Sequence, residues 1–470
     1  MDLRPTPDST PSLPEAYRSV NVGAAGWLKK FLAFSGPAYL VSVGYMDPGN
    51  WATDLEGGSR FGYALLWVVL LSNLMAMLLQ TLCARLGIVT GKDLAQACRD
   101  YYKKPATIAL WIGCEIAIVA CDLAEVIGSA VALKLLFGLP LMLGVLLTGL
   151  DVILLLGLLK FGFRKIEALV LTLVVTIASC FAYEILMARP DWKSVGFGLV
   201  HPVLPPEAVL VAVGIIGATV MPHNLYLHSS LVQTRAFNQD DKGKREAVRS
   251  STLDTIIALG CAFFVNAAIL VLAAAVFHSA GRVVSDFADA PGLLQPVLGG
   301  LAATLFSVAL LASGQSSTIT ATLAGQIVME GFLRIRIKPW LRRIITRGLA
   351  LIPAIAMVAG GGGNTVGLIV ISQVVLAMQL PFALIPLVMF TSDKKKMGAF
   401  ANTLWMKVAG YACGVVIISL NIYLLKNTVG VAWLLIGLAA IGAFALWVSV
   451  FYKGRPERDQ SVLTTNQKIA

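Results

Sequence analysis

The sequence predicts an all-α polytopic membrane protein of about twelve transmembrane helices, built as a five-plus-five inverted repeat in which helices 1 and 6 are broken. Three observations carry this. Hydrophobic residues make up 57% of the chain and charged residues 13%, with a mean hydropathy of +0.79; soluble domains hold about 45–50% apolar residues. Apolar stretches of about 20 residues, the length that spans a bilayer as a helix, recur along the whole chain. Two of them, five spans apart, are interrupted by the same grammar, a Pro followed two residues later by Asn: Asp47-Pro48-Gly49-Asn50 and Met221-Pro222-His223-Asn224.

The spans fall at 32–58, 62–84, 106–136, 140–159, 166–188, 207–235, 251–279, 295–332, 345–361, 364–391, 403–425 and 431–452. The expected units are an N-terminal tail (1–30), a first repeat (31–190), a second repeat (191–395), peripheral helices 11 and 12 (396–454) and a C-terminal tail (455–470). With residues 1–30 on the cytoplasmic side, the inside segments hold 31 of the 37 Lys and Arg. This positive-inside bias places both termini in the cytoplasm and the chain in the cell membrane. The net charge of +11 is thus topological and argues against nucleic acid; Lys394-Lys395-Lys396 reads as a cytoplasmic loop. The seven cysteines form no CxxC pair and most lie in apolar spans, which implies packing and not disulfides or zinc. Residues 1–20 are polar and Pro-rich, unlike a signal peptide.

Taken in order, the first span carries a carboxylate at Asp47, loses a backbone donor at Pro48 and gains flexibility at Gly49, so its helix must open. Open backbone at membrane depth persists only where it is buried in protein or lines a cavity, and an acid at such a break suits a cation. The third span carries Glu115, Asp122 and Glu125 on roughly one face, which suggests a water or proton route. Asp151 and Glu167 lie near span ends, where caps or snorkelling explain them. The second broken helix, 207–235, enters from the opposite side, as an inverted repeat requires. Helix eight contains the small polar run Ser313 to Thr318, helix nine opens on Arg342, Arg343 and Arg347 with Arg347 deepest, and helix ten carries Gln373 and Gln379. Helices eleven and twelve have few polar residues and read as peripheral support or an oligomer face, not as part of the site.

If the two breaks face each other, the convergent groups are the Asp47 carboxylate, the Asn50 amide, carbonyls freed near Gly44 and Ala218, and the Met221 thioether. Oxygen alone would suit Mg²⁺ or Ca²⁺. A soft thioether favours Mn²⁺, Fe²⁺ or Cd²⁺ instead. His223 fits a proton or water-network role better than direct ligation; His201, His228 and His278 receive no chemistry.

These same residues resemble the natural resistance-associated macrophage protein (Nramp) family of divalent metal transporters. The likeness continues through Asp122-Leu-Ala-Glu125, Ser313-Gly-Gln-Ser-Ser-Thr-Ile-Thr320, and Ser372-Gln373 with Gln379-Leu-Pro-Phe-Ala, over about residues 30 to 425. The resemblance implies a leucine-transporter-type fold and proton-coupled import of Mn²⁺ or Fe²⁺, with Cd²⁺ also accepted. It implies that Asp47, Asn50, Met221 and the Ala218 carbonyl bind the metal, joined by Gln373, with Gly44 contributing its carbonyl. It also implies a proton route from Asp47 through Asp122 and Glu125 with Arg347. Glu115 and His223 are further candidates on that route. No resident cofactor is expected, and the partners are divalent metal ions, protons and the lipid bilayer, with no obligate protein partner. A Mg²⁺ or other hard-cation carrier and a sodium-coupled amino-acid carrier share the fold; retention of Met221 speaks against the first, and Asp47 would repel the carboxylate of the second. No HExxH or GxSxG motif supports an enzyme.

Overall fold

The computed structural model describes residues 11–14, 16–22, 33–150, 163–335, 337–360 and 364–429. The predicted twelfth span, the C-terminal tail and Asp151 lie outside the described residues. The elements run in the order β1 (Val20–Asn21), α1 (Pro37–Gly44), α2 (Pro48–Phe61), α3 (Leu66–Thr90), α4 (Leu94–Tyr101), α5 (Lys104–Phe137), α6 (Leu141–Thr148), α7 (Phe163–Ala188) and α8 (Trp192–Val200). There follow α9 (Val209–Thr219), α10 (Pro222–Leu231), β2 (Arg235–Ala236), α11 (Asp241–Ala273), α12 (Ala290–Leu298), α13 (Gly300–Leu333), α14 (Pro339–Ala359), α15 (Thr365–Ser392) and α16 (Leu404–Val429). The predicted first to eleventh spans are all represented among the described residues, the fourth only by α6.

The breaks fall where the prolines require them. In an unbroken helix the N–H of residue 48 would bond the carbonyl of Gly44; Pro48 has no N–H, so that carbonyl is released. The chain instead tightens, with Tyr45 N donating to Ser42 O and Met46 N to Val43 O, both at 3.0 Å. Asp47 then turns extended and caps α2, its Oδ1 accepting from Asn50 N at 2.8 Å with Pro48 in the first helical turn. The second break repeats this logic four residues before Pro222, where the Ala218 carbonyl loses its partner and Met221 leaves helical geometry.

Around the two broken helices, α13 lies along α5 and α7, α11 packs on α3 and α2, and α9 packs on α15. The α9–α15 approach is close because Gly217 has no side chain: a Cβ there would run into the backbone carbonyl of Gln373. The main apolar cluster of the interior is drawn from most helices, with smaller ones beside it. The outer faces expose large apolar side chains, Phe264, Ile352, Leu186 and Val415 among them, as a lipid-facing surface does. At one end of the bundle the N-terminal segment crosses as a strap. β1 pairs in parallel with β2, Arg18 N donates to Gln233 O at 3.0 Å, and Ser12 Oγ donates to Asp93 Oδ2. Beneath it Arg235 bonds the carbonyls of Phe34 and Ser35 at 2.9 Å each and pairs with Glu167 at 2.6 Å, so Glu167 has a structural partner.

Candidate metal centre

Asn50 ties the two breaks together. Its Nδ2 donates to Asp47 Oδ1 at 2.8 Å, to the Gly44 carbonyl at 3.2 Å and to the Ala218 carbonyl at 3.0 Å. Three oxygens from two helices therefore converge on one amide group, and Asp47, Asn50 and Ala218 are each no more than 1% exposed. The other side of that amide is fixed as well: Asn50 Oδ1 accepts from Thr219 Oγ1 and Asn266 Nδ2, each at 3.3 Å. Asn266 also donates to the free Tyr45 carbonyl at 2.8 Å. The Met46 carbonyl takes Ser313 Oγ at 2.6 Å and Trp51 Nε1 at 3.1 Å. The carbonyls of Gly44, Tyr45, Met46 and Ala218 thus all have side-chain partners, as buried carbonyls need.

Met221 sits in the same cluster. Asn224 Nδ2 lies 3.5 Å from its Sδ, and Gly44 stands so close that a Cβ there would meet the Asn224 amide and, at 3.3 Å, the Met221 sulfur. On the other flank the Gln373 amide abuts Gly49, two residues from Asp47. Gln379 stands apart, near Gly113 of α5, so of the two glutamines helix ten brings Gln373 to the breaks. Among the described residues no three His, Cys, Asp or Glu side chains converge. The cluster is instead one carboxylate, carbonyls, amides and a thioether, a donor set that can hold a divalent cation and leaves it only one full charge to part from.

The acids of the third span pair with the ninth. Arg343 donates to Asp122 at 2.5 Å and to Glu125 at 3.1 Å, while Arg347 reaches Glu125 at 3.5 Å and the Asp122 carbonyl at 3.3 Å. Thr318 Oγ1 adds a 2.9 Å bond to Glu125. All four charged side chains are 1% exposed or less. Glu115 is set apart, bonded to Arg342 at 2.6 Å and to Trp111 at 3.1 Å, two turns along α5. His223, buried at the start of α10, has an unpartnered Nδ1 and stands within electrostatic reach of Asp122.

Several members of this assembly escape sequence reasoning. Arg343 lies four residues before Arg347 and shares its face, so the helical repeat could have paired them. His228, five residues beyond His223, turns to another face and bonds Gln80, which in turn donates to the Tyr45 hydroxyl at 2.9 Å. Asn266 carries no local signal.

Residues 38–427 match the family model described as natural resistance-associated macrophage protein-like. The divalent metal cation transporter MntH of Nostoc sp. is 56% identical over 436 residues, covering 91% of this chain and 98% of that one. Its counterpart in Mesorhizobium japonicum is 56% identical over 429 residues, covering 90% and 94%. A crystal structure of a mutant of the Eremococcus coleocola manganese transporter superposes with a TM-score of 0.81 at 39% identity, over 93% of this chain and 98% of that one. The nucleobase-cation-symport-1 family transporter Mhp1 superposes at 0.60 with 16% identity over 90% and 96%, a likeness of fold alone, of the leucine-transporter type.

Proposed function

The chain belongs to the natural resistance-associated macrophage protein-like family, and from that membership we propose that it imports divalent transition metal ions, Mn²⁺ or Fe²⁺ and also Cd²⁺, with protons as the coupling ion. The observation that carries the reading is the convergence of Asp47, the Gly44 and Ala218 carbonyls, Asn50 and Met221 at two helix breaks in a multi-pass membrane fold. In this reading Asp47 supplies charge, Asn50 and the carbonyls supply neutral oxygens, Gln373 joins as the helices close, and Met221 selects against Ca²⁺ and Mg²⁺ because a hard ion gains little from sulfur. Entry of the metal favours release of a proton from Asp47, and the unpartnered oxygens of Asp122 and Glu125 and the buried His223 receive it on the way to the cytoplasm. In this reading both termini are cytoplasmic, which the Lys and Arg distribution supports.

The test is Mn²⁺ uptake into proteoliposomes carrying an internal pH dye, with excess Mg²⁺ and Ca²⁺ as competitors. Uptake that resists both competitors and acidifies the lumen is expected. Met221→Ala should keep part of the Mn²⁺ uptake and let Ca²⁺ compete; an unchanged ranking of ions would sink the selectivity argument. Uptake abolished by Mg²⁺ would point to a hard-cation carrier of the same fold.

A further inference from the structure

Cys121 lies on α5, one residue before Asp122, and is 1% exposed. Its Sγ is 3.8 Å from Asp47 Oδ2, the carboxylate oxygen that Asn50 does not hold. It also packs in one small cluster with Met221, Ala117 and Leu376. Among the described residues it is the cysteine whose thiol reaches a carboxylate.

We propose that Cys121 is a further ligand of the transported metal, giving the centre a second sulfur and tilting it towards thiophilic ions such as Cd²⁺. The proposal rests on the metal-transport reading above. Two ligands on one zinc-sized ion, with metal–sulfur near 2.3 Å and metal–oxygen near 2.0–2.2 Å, stand about 3.1–3.7 Å apart at ordinary coordination angles. A larger soft ion widens that spacing, so the 3.8 Å between Sγ and Asp47 Oδ2 allows both to grip one cation. A second observation points to a ligand at this spot: Gln373 Oε1, beside Gly49, and Asn224 Oδ1, on the amide whose Nδ2 faces Gly44 and the Met221 sulfur, are fully buried acceptors without a hydrogen-bond partner. Buried acceptors left unpaired are costly, and a cation bound between the breaks would satisfy them. Coordination as the thiolate releases the proton on Sγ. A thiolate outranks a thioether as a soft donor, so the position weighs more on Cd²⁺ than on Mn²⁺.

X-ray absorption at the cadmium edge, on full-length protein loaded with Cd²⁺ alone, counts the sulfur neighbours. Two are expected in the wild type, one in Cys121→Ser and one in Met221→Ala. In proteoliposomes the ratio of Cd²⁺ to Mn²⁺ uptake should fall roughly tenfold in Cys121→Ser. Bound Cd²⁺ with a single sulfur in the wild type overturns the proposal and leaves the transport reading standing, and so does a Cys121→Ser protein that keeps the wild-type sulfur count and ratio. Wild-type protein that binds neither Cd²⁺ nor Mn²⁺ overturns both.

Discussion

Asn50 Nδ2 lies 3.0 Å from the Ala218 carbonyl, so one amide group joins the break in the first span to the break in the sixth. The same nitrogen holds Asp47 Oδ1 and the Gly44 carbonyl, and so occupies the place among three oxygens that a cation would take. In the metal-transport reading a cation would displace the amide nitrogen there, and a half-turn of the side chain would bring Oδ1 inward at the cost of its bonds from Thr219 and Asn266.

Among the described residues Asn50 is the side chain that bonds all three oxygens, and Asn50→Ala removes it. Leaving buried acceptors unpaired costs about 1–3 kcal/mol, so the metal-free protein should melt several degrees lower. Mn²⁺ binding should weaken by roughly tenfold or more, since a ligand is lost with it. Thermal melts with and without Mn²⁺ check both; an unshifted metal-free melt would mean that the amide does not hold the breaks together.

The fold and the outline of this centre were legible because proline acts locally. Pro48 and Pro222 each free the carbonyl four residues back, and Asp47 and Met221 sit beside them, so the two breaks could be read from spacing alone. What spacing could not supply was the partner of each group across the bundle. Arg347, the deepest of its group by sequence, does meet Glu125, but spacing does not reveal that Arg343 holds both Asp122 and Glu125. Helix depth says how far a residue lies from the membrane surface, not which helix it faces. Cys121 read as packing because a buried thiol usually is, and only the tertiary approach of α5 to Asp47 sets it apart.

Arg343→Met should destabilise the protein by about 3–5 kcal/mol, because two buried carboxylates lose their shared partner. Adding Asp122→Asn removes one of the stranded charges. The double variant should therefore melt above Arg343→Met alone, which is coupling of the kind a double-mutant cycle measures. Strictly additive losses would show that the pairing of Arg343 with Asp122 carries no energy.

The acid beneath the strap carries a pH dependence of its own. Asp93, outside the membrane spans, is fully buried, and burial pushes its carboxyl up to about 6. A carboxyl raised in the fold binds its proton more tightly there than in the unfolded chain. Asp93 therefore favours the fold most below about pH 4, and that contribution, up to roughly 3 kcal/mol, is lost as pH rises through about 6. Asp93→Asn keeps a neutral cap on α4 at every pH, so its melting temperature should rise relative to the wild type as pH goes from 5 to 7.5; an offset that does not change with pH refutes it.

Gly49→Ala isolates the role of Gln373. A Cβ at Gly49 would stand 2.5 Å from the Gln373 amide, and that amide is the free end of a flexible side chain, so it moves while the backbone stays. Gly49 lies in the first turn of α2 with ordinary negative φ, where alanine is at least as favourable as glycine. Stability should thus change by less than about 1 kcal/mol. Mn²⁺ uptake should fall to the level of Gln373→Ala, and the double variant should be no worse than either single one, because both changes remove the same contact. Uptake by Gly49→Ala equal to the wild type, alongside a loss in Gln373→Ala, would place Gln373 in some other role than closing over Asp47 and Asn50.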